Sequence, residues 1–168
     1  MLQIARDSVH AYLANQDYPG PPELESDLPG FHGVFVSIHR GATLRGCVGT
    51  IEPREPLYQS VAGCAVAAAS RDPRFTPVQS GELPELQFEI SVLYRLQDVT
   101  DIEAIEIGTH GLVISQGNAR GLLLPQVAVQ YRWNREQFLT ETCRKAGLPP
   151  TAWKEGARIQ SFIAEVFS

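Results

Sequence analysis

The feature of this chain that most constrains its fold is a pattern that occurs once in each half. The repeated pieces are a glycine-led apolar run ending in serine and a later Arg-Gly pair: Gly33-Val34-Phe35-Val36-Ser37 with Arg45-Gly46, and Gly111-Leu112-Val113-Ile114-Ser115 with Arg120-Gly121. β-Branched and aromatic residues favour strands, and a short glycine-containing turn between two such runs predicts a β-hairpin. We favour an internal duplication; the alternative is a hairpin that recurs by chance.

Each predicted hairpin is followed by a helical pattern and then by a strand pattern. The helices are predicted at 1–14, 57–70 and 134–146, and the further strands at 86–95 and 159–166. The last helix carries a capping box, with Asn134 at the cap position and Gln137 three residues later. The predicted fold is therefore α+β, with a mostly antiparallel sheet built from two duplicated hairpin-helix-strand halves.

Length and composition predict one globular domain over residues 1–168. The chain is 43% apolar and 20% charged, which suits a folded domain with a real core. Residues 1–30 are predicted as a helix and loop, and residues 31–168 as the duplicated core. The acidic run 23–27 is expected to be a solvated linker.

Charge and hydropathy exclude several classes of protein. A net charge of −5 argues against a generic binder of nucleic acid or anionic membranes. The chain has no apolar stretch long enough to span a bilayer, and its first residues do not resemble a signal peptide. The three cysteines include no CxxC pair, so we expect reduced thiols in the cytoplasm.

Arginine is the most uneven part of the composition, with twelve arginines to two lysines. Arginine suits both ion pairs and anion sites because its planar fork matches a carboxylate or phosphate. Five arginines cluster in the first half, whereas residues 82–106 hold seven acids and one arginine. We therefore expect an anion-binding site in the first half.

No standard signature of metal or nucleotide chemistry is present. The sequence contains no Walker loop, dinucleotide-binding GxGxxG, HExxH or GxSxG motif. The histidines have no recognisable ligand spacing: His10, His32, His39 and His110. We expect no metal site, and the sequence leaves the cofactor unknown.

The densest candidate site is the predicted strand at 44–50. Arg45 and Cys47 share a face of that strand, and a nearby arginine stabilises a thiolate, the nucleophilic form of cysteine. Gly46 and Gly49 leave room for a ligand to approach the backbone. The alternative is a buried cysteine used for packing, beside glycines that a close contact requires.

Asp72 and Arg74 form the second candidate site, around a rigid Asp-Pro turn. Together with Arg71, Arg74 can clamp a carboxylate or phosphate through paired N–H groups. The alternative is ordinary helix termination, in which Arg71 faces the helix end and Asp72 caps the next turn.

Other chemically capable residues have structural explanations beside the functional ones. His110 can act as a general acid or base, but a histidine beside a strand is more often a turn or core residue. Cys64 and Cys143 fall on predicted buried helix faces and are expected to be packing residues. Trp133 precedes the helix cap and is expected to pack on Phe138.

These segments together resemble the AMMECR domain family, especially the bacterial and archaeal members of the AmmeMemoRadiSam system type. The resemblance runs from about residue 31 to the C-terminus, and Val48 stands where the family more often has Ile. The segments that carry it are Leu44-Arg45-Gly46-Cys47-Val48-Gly49-Thr50, Asp72-Pro73-Arg74-Phe75, Glu89-Ile90-Ser91-Val92-Leu93, His110-Gly111-Leu112, Arg120-Gly121, Leu123-Leu124-Pro125-Gln126-Val127-Ala128, Cys143-Arg144-Lys145-Ala146-Gly147-Leu148 and Trp153.

The resemblance implies a fold with two subdomains and a cleft between them. Cys47 is then expected as nucleophile or redox thiol, with His110 as a weaker catalytic candidate. The ligand-binding residues expected in the cleft are Arg45, Gly46, Gly49, Thr50, Asp72, Arg74 and Arg120.

The resemblance also implies partners, namely a radical S-adenosylmethionine protein and a Memo-type protein. The expected function is an enzyme component that acts with them on an anion, small molecule or peptide. The alternative is a non-catalytic module that delivers a ligand to these partners, and the net charge disfavours RNA binding.

Overall fold

The computed structural model describes residues 1–18, 20, 31–52 and 54–168. The chain divides into two compact units, one of Met1–Leu93 with Glu165–Ser168 and the other of Tyr94–Ala164. The acidic linker expected at 23–27 lies outside the described residues. Within the part of the chain that the structure describes, none of the helices has the length and apolar character of a membrane-spanning segment.

The first unit is built from one hairpin and two helices. Its elements are α1 Leu2–Leu13, β1 Phe31–Arg40, β2 Thr43–Thr50, α2 Leu57–Ser70 and the beginning of β3 Leu86–Asp98. Helix α1 buries Ala5 and Val9 of the apolar face that its spacing predicts, together with Ile4, whereas Tyr12 of that face is 46% exposed. Helix α2 has the predicted range, and its small residues let its backbone pack closely on β1 and β2.

The second unit repeats this plan with an additional short helix. Its elements are the end of β3, β4 His110–Gln116, β5 Ala119–Leu123, α3 Pro125–Gln130, α4 Arg135–Lys145 and most of β6 Arg158–Phe167. The predicted capping box of α4 is confirmed: the Asn134 side chain accepts from the Gln137 amide at 2.9 Å, and the Gln137 side chain accepts from the Asn134 amide. Trp133 packs against the core that contains Phe138.

The described strands are hydrogen-bonded in the order β2-β1-β3-β6-β4-β5, and the pairs β1–β2, β4–β5 and β4–β6 are antiparallel. β2 is therefore an edge strand. In the first hairpin Ser37 pairs with Cys47 and Ile38 with Gly46, and the register shifts between Ile38 and His39. This register decides which side chains lie beside Cys47, because directly opposite residues share a face of the sheet.

In both hairpins the glycine of the Arg-Gly pair lies against the backbone of a helix or its end. A Cβ atom added to Gly46 would lie 2.1 Å from the Ala68 carbonyl oxygen of α2. A Cβ atom added to Gly121 would lie 2.4 Å from the Ala146 amide nitrogen, just after α4. In each unit a helix backbone therefore approaches the second strand of the hairpin where only glycine fits. These matching contacts support the duplicated plan that the sequence predicts.

Candidate functional site

Cys47 lies near the middle of the edge strand β2, where its side chain is half-buried. Ser37 stands opposite on β1 and is buried, and its hydroxyl donates a hydrogen bond to the Cys47 sulfur at 3.2 Å. A hydroxyl donor stabilises negative charge on sulfur, and the thiolate is the reactive form of cysteine. The hairpin register thus gives Cys47 a partner that its own neighbours in sequence do not supply.

Asp72 covers the outer edge of β2 at Cys47. It follows the C-terminal end of α2 and is only 5% exposed. Its carboxylate accepts the Cys47 backbone N–H at 2.9 Å and the Arg74 backbone N–H at 3.1 Å. The side chain therefore takes the place of a neighbouring strand's carbonyl and closes the edge at this residue.

Arg74 contacts the backbone carbonyl of Cys47 on the same edge of β2. Its guanidinium donates from Nε and Nη2 to the two Asp72 oxygens at 2.9 and 2.7 Å, and from Nη2 to the Cys47 carbonyl oxygen at 3.3 Å. The same guanidinium lies 5.3 Å from the centre of the Phe75 ring. Because the Arg74 side chain is 50% exposed, it can also meet an incoming anion.

The pKa values show how strongly these charges are coupled. Hydrogen bonds from Arg74 are the main cause that lowers the pKa of Asp72 to about 2, against an ordinary value of 3.8. The pKa of Arg74 is raised, mainly by Asp72 and to a smaller extent by the Cys47 side chain. Asp72 and Arg74 are therefore both charged at neutral pH and form one ion pair beside the Cys47 backbone.

The Arg45 guanidinium donates its hydrogen bonds to other groups of the same chain. Its Nε and Nη2 atoms donate to the two oxygens of Glu82 at 2.9 and 3.1 Å, and its guanidinium also donates to the carbonyls of Thr76 and Pro77. Only 16% of the Arg45 side chain and 18% of the Glu82 side chain are exposed. These contacts favour a positioning role, in which Arg45 holds the segment that follows Asp72 and Arg74 against the hairpin.

The site glycines have close neighbours of their own. Gly46 faces the backbone of α2, and a Cβ atom on Gly49 would lie 2.3 Å from the Phe35 ring. Thr50 accepts a hydrogen bond from the Glu52 amide. These contacts support the packing alternative for the two glycines.

The other two expected site residues lie in the second unit. His110 begins β4 and is half-buried, and its Nδ1 atom accepts the Glu106 backbone N–H at 3.1 Å. Arg120 is exposed on β5, opposite Ser115. The structure thus brings Arg45, Cys47, Asp72 and Arg74 together in the first unit and shows His110 and Arg120 as parts of the second.

Sequence reasoning missed Ser37 and Glu82. Ser37 reaches Cys47 only through the register of the hairpin, which the turn length alone did not fix. Glu82 could have been noticed from its spacing to Gln79, since the two form a capping box at the short helical turn Ser80–Glu85.

The remaining thiols are packing residues, as expected. Cys64 and Cys143 are both buried. Burial is the main cause that raises the pKa of Cys64 to about 11, and it also raises the pKa of Cys143. Among the described residues, no group of three or more His, Cys, Asp or Glu side chains could hold a metal ion.

Acid should weaken the protein as Asp72 becomes protonated. Because the folded-state pKa lies below the ordinary value of 3.8, this carboxylate stabilises the fold fully above about pH 5, and its contribution disappears as the pH falls towards 2. The shift corresponds to about 2 kcal/mol. We expect Asp72→Asn to lose about that much unfolding free energy at neutral pH, measured by urea denaturation.

The control for this prediction is Asp98→Asn, which removes an exposed carboxylate paired with Arg158. A surface pair of this kind contributes little, so the control should unfold at nearly the same urea concentration as the parent protein. Equal losses in the two variants would contradict the special role of Asp72.

Known proteins match this chain over nearly its full length. A family model described as AMMECR1 matches residues 2–167. A protein of Methanosarcina barkeri is 39% identical over 99% of this chain and 87% of its own length. A protein of Thermoplasma acidophilum is 40% identical over 99% of this chain and 84% of its own length.

A solved structure agrees with these sequence matches. The crystal structure of an uncharacterised protein from Pyrococcus horikoshii matches with a TM-score of 0.92 and 36% sequence identity. The match covers 98% of this chain and 87% of that chain. The similarity therefore includes both units, and the resemblance that the sequence motifs suggest is confirmed: the chain belongs to the AMMECR1 family.

Proposed function

We propose that this protein works through the Cys47 thiol, as the nucleophile or redox thiol of an enzyme component. The observation that carries the proposal is the hydrogen bond from the Ser37 hydroxyl to the Cys47 sulfur at 3.2 Å. The Arg74 guanidinium donates to the Cys47 carbonyl oxygen at 3.3 Å, which brings a positive charge close to this residue. A hydroxyl donor and a nearby positive charge are the groups that stabilise a reacting thiol in general, and the thiolate is the form of cysteine that attacks electrophiles.

Two further contacts fix the position of this thiol. Asp72 accepts the Cys47 N–H, and Arg74 donates to the Cys47 carbonyl, so both backbone groups of the residue are held by one ion pair. Holding a nucleophile in one geometry before its substrate arrives lowers the entropic part of the barrier. Arg45 supports this arrangement indirectly by anchoring the chain that follows the pair.

The half-exposed Arg74 suggests the substrate class. A guanidinium that is bound on one edge and open to solvent on the other can hold a carboxylate or phosphate. We therefore propose an electrophile that carries an anionic group, either a small molecule or a modified peptide. In a disulfide substrate, the Cys47 sulfur would form a new S–S bond while the other sulfur leaves as a thiolate.

Selective alkylation tests the proposed role of Cys47. The folded protein is treated briefly with iodoacetamide near neutral pH, and each cysteine peptide is quantified by mass spectrometry. We expect Cys47 to react at least about tenfold faster than Cys64 or Cys143, because both of those thiols are buried and have raised pKa values. Equally slow labelling of all three cysteines would contradict the proposal.

We also propose that the protein acts together with a radical S-adenosylmethionine protein and a Memo-type protein. The support is membership of the AMMECR1 family, whose bacterial and archaeal members the sequence resembles. Purified candidate partners should be retained by the immobilised protein, and Arg74→Ala should weaken that retention. If neither partner is retained under any salt condition, this part of the proposal is wrong.

Cys47→Ser distinguishes the enzyme component from its alternative, a non-catalytic binding module. A binding module would keep both its partners and the activity of the assembled system after this substitution. An enzyme component would keep its partners and lose the activity, because serine retains the shape of the side chain but is a much weaker nucleophile at neutral pH.

A further inference from the structure

The second unit contains a pocket that is lined by both polar and apolar side chains. It has a volume of about 260 Å³ and is lined by Tyr94, Gln97, His110, Ser161, Phe162 and Ile163. All six residues belong to the unit Tyr94–Ala164. A volume of this size corresponds to about nine water molecules, which is enough for a single-ring compound.

The strand register places three of these side chains on one face of the sheet. His110 pairs with Ile163, and Leu112 pairs with Ser161, so the side chains of His110, Ile163 and Ser161 point to the same side. Behind them, Phe162 is buried and its ring fills the space beside Gly111, where a Cβ atom would lie 2.2 Å away. The pocket therefore lies against the closely packed strands β4 and β6.

His110 has a defined hydrogen-bonding role in this pocket. Its Nδ1 atom accepts the Glu106 backbone N–H at 3.1 Å, and its own backbone N–H donates to the Glu106 carbonyl. With Nδ1 acting as an acceptor, the neutral ring carries its proton on Nε2. Within the described part of the chain no residue accepts from Nε2, so this N–H remains available as a donor.

The other lining residues indicate the polarity and charge of a ligand that this pocket can bind. Ser161 contributes a hydroxyl and Gln97 a primary amide, and each of these groups can both donate and accept. The described lining contains no Asp, Glu, Lys or Arg, which argues against a charged ligand. Ile163 is 54% exposed, so a flat apolar ring lying against it would remove apolar surface from water.

We propose that this pocket binds a small, neutral, planar amide or lactam, whose carbonyl oxygen accepts the His110 Nε2–H. Its amide edge would pair with Ser161 and Gln97, and its ring would cover Ile163. A pyrimidine base and an aromatic amide both present this combination of groups. The site is separate from the proposed function of Cys47 and does not depend on it.

Ligand-detected NMR with the full chain tests this inference, using uracil, benzamide and benzoate as probes. We expect uracil or benzamide to bind with a Kd near or below about 1 mM, and benzoate at least tenfold more weakly because its charge would be buried without a partner. Absence of binding by both neutral probes at several millimolar would overturn the proposal, as would equal binding of benzoate.

Two variants test the assigned contacts. His110→Asn keeps an oxygen that can accept from Glu106 but removes the Nε2 donor, and Ser161→Ala removes the hydroxyl. Each should weaken binding of the neutral probe about tenfold while the melting temperature changes little. Gln116→Ala, an exposed change on the same strand outside the pocket, should bind like the parent protein. Undiminished binding in both His110→Asn and Ser161→Ala would overturn the assignment.

Discussion

Gly46→Ala should destabilise the protein by about 3 kcal/mol or more, or prevent it from folding. The added methyl group would lie 2.1 Å from the Ala68 carbonyl oxygen and 2.9 Å from its carbonyl carbon. Both atoms belong to the backbone of α2, so relief requires movement of a whole helix and not of one flexible side chain. Urea denaturation of the purified variant measures the loss, and poor recovery of folded protein would indicate the more severe outcome.

Gly63→Ala is the matched control for this substitution. Gly63 is an exposed residue of the same helix, and an added Cβ atom there would have no neighbour within 4 Å. Because alanine favours helix over glycine, we expect a gain of up to about 1 kcal/mol. A Gly46→Ala protein as stable as the parent would contradict the close approach of α2 to β2.

Arg45→Ala should cost about 3 kcal/mol of unfolding free energy. The substitution removes two hydrogen bonds to Glu82 and leaves that carboxylate largely buried without its partner. It also removes the Arg45 donor from the Thr76 carbonyl, and from the Pro77 carbonyl, which keeps its bond from the Gln79 side chain. Thermal and urea unfolding should both show the lower stability, because the hydrogen bonds of Arg45 connect β2 to the segment that follows Asp72.

Arg40→Ala provides the control, because Arg40 is on the same hairpin and pairs with Glu85. The two side chains of that pair are 52% and 58% exposed, so its removal should leave the unfolding free energy close to that of the parent protein. Equal effects of the Arg40 and Arg45 substitutions would show that Arg45 is not the anchor described above.

The elements with strong local signals were predicted well from the sequence. Helix α2 has the predicted range 57–70, since its alanine-rich pattern ends at an Asp-Pro pair. The capping box at Asn134 is present as predicted. Strand β1 extends from Phe31 to Arg40, beyond the apolar run that predicted it, because pairing with β2 continues through its polar end.

What the sequence could not supply depends on contacts between distant residues. The short helix α3 was not predicted, since six residues give too little periodicity to distinguish a helix from a turn. The bond between Ser37 and Cys47 requires the hairpin register, and the bond between Arg45 and Glu82 joins residues that local patterns do not connect.

The partners of the arginines also depend on contacts between residues that are distant in the sequence. The sequence pointed to an anion-binding site in the first half of the chain, but the structure pairs Arg45 with Glu82 and Arg40 with Glu85. Both acids come from the acidic stretch that the sequence set apart from the arginines. Arg74 is bound to Asp72 on one edge and half-exposed, so it remains the best candidate for contact with an anionic substrate.

The rate at which Cys47 reacts in Ser37→Ala shows whether the Ser37 hydroxyl activates this thiol. The control is Ser115→Ala, which changes the corresponding serine of the second hairpin, where it lies on β4 opposite Arg120. Loss of the Ser37 hydroxyl should slow alkylation of Cys47 about tenfold at neutral pH, the effect of one hydrogen bond to a charged atom, while the control should react like the parent protein. If Cys47 reacts equally fast in all three proteins, its hydrogen bond to Ser37 does not activate the thiol, and the account of this site is wrong.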